Sequence, residues 1–171
     1  MPQQVMNIRS FLIIFAMSSL LHSEESFGIV VHGGAGVMSG LSEERQQEIH
    51  KKIQETVSEA YEILEKGGSS LDAVELAVSM LEDSPLFNAG RGSVYNSDEV
   101  QEMDASIMDG KNRLSGAVAS VTSVKNPIKL ARKVAEETKH VLLVGDGAER
   151  FARDIGVDVV EKNYFYHEER L

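Results

Sequence analysis

Residues 102–124 read EMDASIMDGKNRLSGAVASVTSV and contain the most informative pattern in the chain. From Met103 onward, apolar side chains recur at every second position, which is the period of a strand with one buried face. Asp109 and Gly110 form a turn signal, and small and apolar residues return over 114–124. The pattern predicts a β-hairpin, and its antiparallel strands favour an α+β fold over a purely parallel sheet.

Helical periods lie on both sides of the hairpin. Ser42 begins a stretch in which apolar residues recur every three or four positions until a pair of glycines ends it. A second helix begins at Ser70 and must end before Pro85, because proline disfavours helical backbone in the residue before it. Asn126 and Pro127 are the cap and first-turn signals of a third helix. We expect the first two helices to pack as a pair.

The remaining elements are shorter. GIVVH (28–32) and residues 140–144 are β-branched or apolar runs that predict buried strands, and a short helix follows over 147–155. Asp146 precedes that helix, where a capping role is the natural interpretation. The whole pattern predicts about four strands and four helices.

The composition defines the class of protein. With 171 residues, 42% of them apolar and 26% charged, the chain can form one globular domain with a sizeable core. Its net charge is −10, whereas nucleic-acid binding requires a basic surface. We therefore expect no nucleic-acid partner. It contains no cysteine, which excludes disulfides, thiolate nucleophiles and Cys-ligated metals.

Residues 1–26 differ from the rest of the chain. An apolar run at 11–21 is too short to span a bilayer but has the length of a signal-peptide core, and cleavage near Ser23 would fit. A buried N-terminal helix or an unprocessed extension is the alternative. We therefore expect a leader followed by a domain over 27–171, which has no membrane contact once the leader is removed.

Two glycine-rich stretches are candidate sites. HGGAG (32–36) follows a predicted strand and could present backbone N–H groups to an anion, although the spacing of a phosphate loop is missing. The alternative is a tight turn with His32 as a core histidine. NAGRGS (88–93) could turn its carbonyls toward a cation or hold the Asn88 amide rigidly, or it could be a plain turn.

Other chemical groups give weaker signals. Asp104 and Asp109 lie five residues apart and therefore on opposite faces of a strand, which indicates structural roles. The histidines are too far apart for a metal motif, and the G-x-S-x-G nucleophile elbow is absent. The residues alone predict a site built from loops, without an evident nucleophile.

Six motifs in a fixed order resemble the plant-type asparaginase and isoaspartyl peptidase family, from about Ile29 to about Gly156. In chain order they are VHGGAG (31–36), LDAVE (71–75), LEDSPLFNAGRGSV (81–94), EMDASIMDG (102–110), GAV (116–118) and NPIKLAR (126–132). The resemblance implies an N-terminal-nucleophile hydrolase with a four-layer αββα sandwich, of which these residues form the α-chain half. Such proteins are precursors that cleave themselves into α and β chains. They cleave L-asparagine, or β-aspartyl peptides, with the new N-terminal threonine.

The same resemblance assigns roles to residues. His32, Gly33 and Gly34 correspond to a loop beside the nucleophile, and Asn88 to a residue that helps hold it. The stretch from 81 to 91 corresponds to a loop that binds a structural Na⁺ ion. Its expected ligands are the main-chain carbonyls of Leu81, Glu82, Ser84, Phe87, Ala89 and Arg91. The resemblance implies no other cofactor.

One departure from the family pattern concerns threonine. The sequence has three, Thr56, Thr122 and Thr138, and none follows a glycine at the start of a strand. We therefore expect this chain to be inactive alone and to need a β chain, in an α/β heterodimer that forms a dimer of heterodimers, with a small-molecule or dipeptide substrate. The alternatives are a catalytically dead protein that pairs with a full-length homologue, and an anion-binding α/β module. The leader predicts secretion, whereas the family resemblance favours the cytoplasm.

Overall fold

A computed structural model of the protein describes residues 27–34 and 40–168. The hairpin forms as predicted: β1 (Met103–Asp109) pairs antiparallel with β2 (Leu114–Val121), and β3 (Leu142–Val144) joins β2 in parallel. The sheet order is β1-β2-β3. A register shift near Asp104 inserts a bulge, where Ser120 has a φ of 52° and donates its N–H to the Asp104 carboxylate.

Two helices precede the sheet and pack against each other. They are α1 (Glu43–Glu65) and α2 (Ser70–Glu82). The Ser42 hydroxyl caps α1, and a reciprocal Ser69–Asp72 capping box begins α2. Their contact is centred on three buried alanines, Ala60, Ala73 and Ala77. Small side chains at these positions let the two helix backbones approach closely.

Two further helices cover one face of the sheet. They are α3 (Pro127–Glu137) and α4 (Gly145–Asp154), which begins two residues earlier than predicted. Their buried side chains and the inward residues of β1 and β2 form the main core. The fully or almost fully buried members are Val118, Val121, Val124, Ile128, Leu130, Ala131, Val134, Ala148, Ala152 and Phe165. Helices on an antiparallel hairpin with one parallel strand confirm the α+β class.

The other face of the sheet carries no helix within the described residues. Met108 of β1 is 75% exposed, and Leu142 and Val144 of β3 are 49% and 53% exposed. The strand expected over 140–144 forms, but the expectation that it is buried was wrong. Only three of these residues form a strand, and their side chains alternate between the covered and the uncovered face.

The expected first strand, GIVVH (28–32), was also wrong. These residues have no regular secondary structure, and Val30 is 95% exposed. β-branched residues favour a strand only where a neighbouring strand accepts their backbone hydrogen bonds. Within 27–34 and 40–168, the only ladders join β1 to β2 and β2 to β3, so three strands form where four were predicted.

A buried carboxylate attaches α4 to the end of β2. Glu149 accepts the N–H groups of Thr122 at 2.7 Å and Ser123 at 2.9 Å, together with the Ser123 hydroxyl. Burial opposes ionisation of Glu149, but these donors outweigh it and lower its pKa below the usual value. Asp146, expected to cap this helix, makes no capping hydrogen bond and lies in the first turn, where the helix dipole favours an acid.

The predicted leader, residues 1–26, falls outside the described part of the chain. Among the residues described, no helix combines the length and apolarity needed to cross a bilayer.

Gly116 tests how closely α3 sits on the sheet. A Cβ there would overlap the Ala131 carbonyl and lie 2.7 Å from the Ala135 Cβ. We expect Gly116→Ala to lower the free energy of unfolding by about 1–3 kcal/mol, because backbone atoms must move to make room. Urea unfolding measures the change. Gly110→Ala is the control, since a Cβ at Gly110 meets no atom within 4 Å. Equal stability of the two variants would show that α3 can shift without cost.

Glu149→Gln tests the tie between α4 and β2. Loss of the charge weakens bonds to two N–H groups and a hydroxyl, so we expect about 1–2 kcal/mol less stability at pH 7. The folded-state pKa is lowered, so this stabilisation is complete above the ordinary value of 4.5 and disappears as pH falls below it. Urea unfolding from pH 7 to pH 3 should show the gap to wild type narrowing. The exposed Glu59→Gln serves as control, and a constant gap for Glu149→Gln would contradict the assignment.

Candidate functional site

The first predicted glycine-rich stretch packs on the loop that leads into the second. A Cβ at Gly33 would lie 2.9 Å from Cε1 of Phe87 and 3.1 Å from Cδ1 of Ile53. Phe87 belongs to the loop that follows α2 and is 4% exposed. Only a residue without a side chain lets the His32–Gly34 turn pack this closely on the loop. Phe87 directly precedes Asn88 in that loop.

His32 has a local role in this turn. Its Nδ1 accepts the N–H of Gly34 at 3.0 Å, and Gly34 has a φ of 103°. The imidazole is exposed, so the interpretation as a core histidine was wrong. Because the Gly34 N–H already binds the ring, that donor is not directed outward, as an anion site would need. Ala35 and Gly36 of this motif lie outside the described residues.

In the loop after α2, two glycines pack closely against backbone carbonyls of the same segment. A Cβ at Gly90, where φ is 50°, would overlap the Glu82 carbonyl, and one at Gly92 would overlap the Phe87 carbonyl. Gly90–Gly92 form a short 3₁₀ turn, and the Ser93 hydroxyl donates to the Gly90 carbonyl at 2.7 Å. Any residue with a side chain at position 90 or 92 would therefore force the loop to change its conformation.

Asn88 is exposed, and its side chain binds the backbone at Val94, just after the glycine-rich turn. Its Oδ1 accepts the Val94 N–H at 3.0 Å, so its amide nitrogen points away from that bond, and no hydrogen bond among the described residues uses this nitrogen. The orientation of Asn88 is therefore fixed by backbone rather than by solvent.

The loop offers carbonyl oxygens that suit a hard cation. No hydrogen bond within the described residues uses the carbonyls of Glu82, Ser84, Phe87 or Arg91, four of the six ligands expected for Na⁺. The other two already accept N–H groups: Leu81 from Ser84, and Ala89 from Gly92. Their second lone pairs remain available. In the described part of the chain, no three His, Asp or Glu side chains gather into a metal site.

Glu82 anchors the beginning of this loop through its side chain, which the sequence did not reveal. It is 3% exposed, and its Oε1 accepts the Ile128 N–H at 3.0 Å in the first turn of α3. Burial raises the pKa of Glu82 to about 7, although the bond to Ile128 lowers it in part. Asn126 was expected to cap α3. It occupies the cap position, but its amide donates instead to Asp83 at 3.2 Å.

The C-terminal 3₁₀ turn, Lys162–Tyr164, anchors the other end of the loop. The Arg91 guanidinium lies 5.3 Å from the centre of the Tyr164 ring, and the Tyr164 hydroxyl lies 3.4 Å from Oδ1 of Asp83. The buried Gln101 amide donates to the carbonyls of Ser93 at 2.7 Å and Phe165 at 3.0 Å. These contacts could not be predicted from the sequence, in which the only signal was the dense aromatic content of residues 164–166.

All three threonines serve the fold. The Thr56 and Thr138 hydroxyls each donate at 2.8 Å to the carbonyl four residues earlier, and the Thr122 N–H is held by Glu149. Asp104 and Asp109 are structural as predicted, since Asp109 accepts the Lys111 N–H in the turn and Asp104 accepts the Ser120 N–H across the hairpin.

Comparison with known proteins explains why the motifs occur in this order. The sequence model described as asparaginase matches residues 25–171, which is most of the chain. The chain belongs to the asparaginase family. This confirms the resemblance on which the site residues were assigned.

Members of the asparaginase family align over most of this chain. A rat protein named isoaspartyl peptidase/L-asparaginase is 52% identical over 132 residues, 77% of this chain and 39% of the relative. A plant-type L-asparaginase from Pyrococcus furiosus is 56% identical over 128 residues, 75% of this chain and 41% of the relative. A putative isoaspartyl peptidase/L-asparaginase from Dictyostelium discoideum is 45% identical over 144 residues, 83% and 42%. The chain thus spans about two fifths of the length of these relatives.

Glu82→Leu tests the anchor between the loop and α3. Leucine leaves the buried Ile128 N–H without an acceptor, so we expect a loss of about 1–3 kcal/mol in the free energy of unfolding. Glu82→Gln is the matched control, because its Oε1 can still accept that bond. Urea unfolding at one pH compares the variants. Equal losses for leucine and glutamine would show that the hydrogen bond does not hold the loop.

Proposed function

We propose that this chain forms the α-chain half of an isoaspartyl peptidase/L-asparaginase. The observation that carries the proposal is the packing of the His32–Gly34 turn on Phe87, the residue that precedes Asn88. The identities of 45–56% to proteins with these names support the same activity. The substrates are L-asparagine and β-aspartyl peptides.

The proposed reaction is acyl transfer through an N-terminal threonine. Its hydroxyl attacks the side-chain carbonyl of the substrate, and its α-amine accepts the hydroxyl proton as general base. The C–N bond breaks, the leaving nitrogen takes a proton, and an ester to the threonine remains. Water then hydrolyses the ester and releases aspartate, while the other product is ammonia or an amino acid. Autocleavage of the precursor exposes this threonine.

This chain supplies the support for that reaction. In the proposal, the amide nitrogen of Asn88 donates a hydrogen bond toward the nucleophilic threonine, because the amide oxygen already accepts the Val94 N–H. The His32–Gly34 turn lies along the bond that autocleavage breaks, and the loop from 81 to 91 holds Na⁺ by its carbonyls. Na⁺ keeps the loop in one conformation and takes no part in the chemistry.

In the proposal, the second half of the enzyme packs on the uncovered face of the sheet. Met108, Leu142 and Val144 expose an apolar surface on the face opposite α3 and α4. A second sheet laid on this face would complete an αββα sandwich and shield these side chains from water. Because all three threonines here are structural, we propose that the nucleophile comes from this β half and that residues 1–171 alone have no hydrolase activity.

An activity assay tests the proposal. The whole protein as its gene encodes it should release ammonia from L-asparagine and aspartate from a β-aspartyl dipeptide, whereas residues 1–171 alone should release neither. In the active protein, Asn88→Ala should lower kcat by about 10²-fold, since a misplaced nucleophile loses near-attack geometry. KM should change little.

Asn112→Ala, at the exposed hairpin turn, is the control and should leave kcat unchanged. An inactive whole protein that co-purifies with an active homologue would replace this proposal with that of a catalytically dead partner. Activity of residues 1–171 alone would refute the assignment of the nucleophile to the second half.

A further inference from the structure

Tyr164 touches both ends of the loop that follows α2. Its ring faces the Arg91 guanidinium at 5.3 Å, and its hydroxyl lies 3.4 Å from the Asp83 carboxylate. Asp83 and Arg91 are eight positions apart in sequence, and the single tyrosine spans the gap between them. Tyr164 is about half-buried between them, in a turn far away along the chain.

The two residues that Tyr164 contacts lie at the ends of the proposed sodium loop. Asp83 stands between Glu82 and Ser84, two of the expected carbonyl ligands, and the Arg91 carbonyl is the last of the six. The side chain of Arg91 turns to the tyrosine, while no hydrogen bond within the described residues uses its carbonyl. Tyr164 can therefore fix the separation of the first and last ligands without itself contacting the cation.

The position of Tyr164 is itself firmly set. Phe165, the next residue, is 1% exposed and belongs to the main core. Its carbonyl accepts the Gln101 amide at 3.0 Å, and the same amide holds Ser93 just after the loop. The edge of the Phe165 ring meets Tyr164 at 90°, with ring centres 5.2 Å apart. The tyrosine thus connects the loop to the core that α3 and α4 build on the sheet.

We propose that Tyr164 is a positioning residue that holds the loop from 81 to 91 in its cation-binding conformation. The inference rests on the proposed function, because it assumes that this loop binds Na⁺. A loop whose ends are already fixed loses less conformational entropy when its carbonyls gather around a cation. Removal of the tyrosine leaves all six carbonyls in the chain and weakens Na⁺ binding by releasing the loop ends.

The test measures Na⁺ affinity rather than activity. The whole protein is titrated from choline chloride into NaCl at constant ionic strength, and the rise of Tm with Na⁺ gives the apparent Kd. We expect Tyr164→Leu to raise this Kd about tenfold. Tyr164→Phe, which keeps the ring on Arg91 and loses only the long bond to Asp83, should raise it by less.

Two further variants complete the comparison. Arg91→Met removes the cation from the Tyr164 ring at an exposed position, so it should fold even if Tyr164→Leu does not, and it should also raise the Kd. Tyr166→Leu, at a 58% exposed tyrosine two residues away, should leave the Kd unchanged. A merely structural role would lower Tm in choline chloride without moving the Kd.

The outcomes separate the two proposals. If wild-type Tm rises with Na⁺ and the Kd is the same in Tyr164→Phe, Tyr164→Leu and Arg91→Met, the positioning role is wrong and the sodium loop stands. If wild-type Tm does not respond to Na⁺, the sodium loop is wrong and the positioning role falls with it. A graded loss, greatest for Tyr164→Leu and absent for Tyr166→Leu, supports both.

Discussion

The buried carboxylate of Glu82 joins three parts of the molecule at one point. It is the last residue of α2, it begins the loop that carries Asn88, and it accepts the first free N–H of α3. Helix N-termini leave donors that need partners, and here the partner comes from another helix. Burial raises the pKa of this carboxyl group, and the hydrogen bond from the Ile128 N–H offsets part of that effect. The start of the loop is therefore fixed relative to both α2 and α3.

The sheet has two faces with different surroundings, and this difference organises the rest of the chain. Small residues on the covered face let α3 approach until Gly116 touches its backbone. On the uncovered face, apolar side chains of β1 and β3 remain exposed. The chain spans about two fifths of the length of its relatives, and in the proposed function the second half covers this surface. The site lies where the helical layer and the glycine loops meet.

Local patterns predicted the elements well and their environments less well. The hairpin, the two paired helices and the helix after Pro127 are where the hydrophobic period and the cap signals placed them. GIVVH was predicted as a strand because its β-branched residues fit one, but a strand also requires a partner, and none of the ladders in the described residues includes it. For residues 140–144, an apolar run did not reveal which face of the sheet would be covered.

The same division applies to the site. Asn88, the glycines and the loop boundaries could be read from motifs, because tight turns and close backbone contacts require particular residues at fixed spacing. Three contacts join residues that are distant in sequence: Gly33 with Phe87, Glu82 with Ile128, and Tyr164 with Asp83. The partners in these pairs are between 46 and 81 positions apart. Such contacts depend on how the elements pack, and no local period records them. The amino-acid order thus sets which segments become helices, strands and turns, whereas the packing of the layers sets which side chains meet, because burial and long-range hydrogen bonds exist only after the chain has folded.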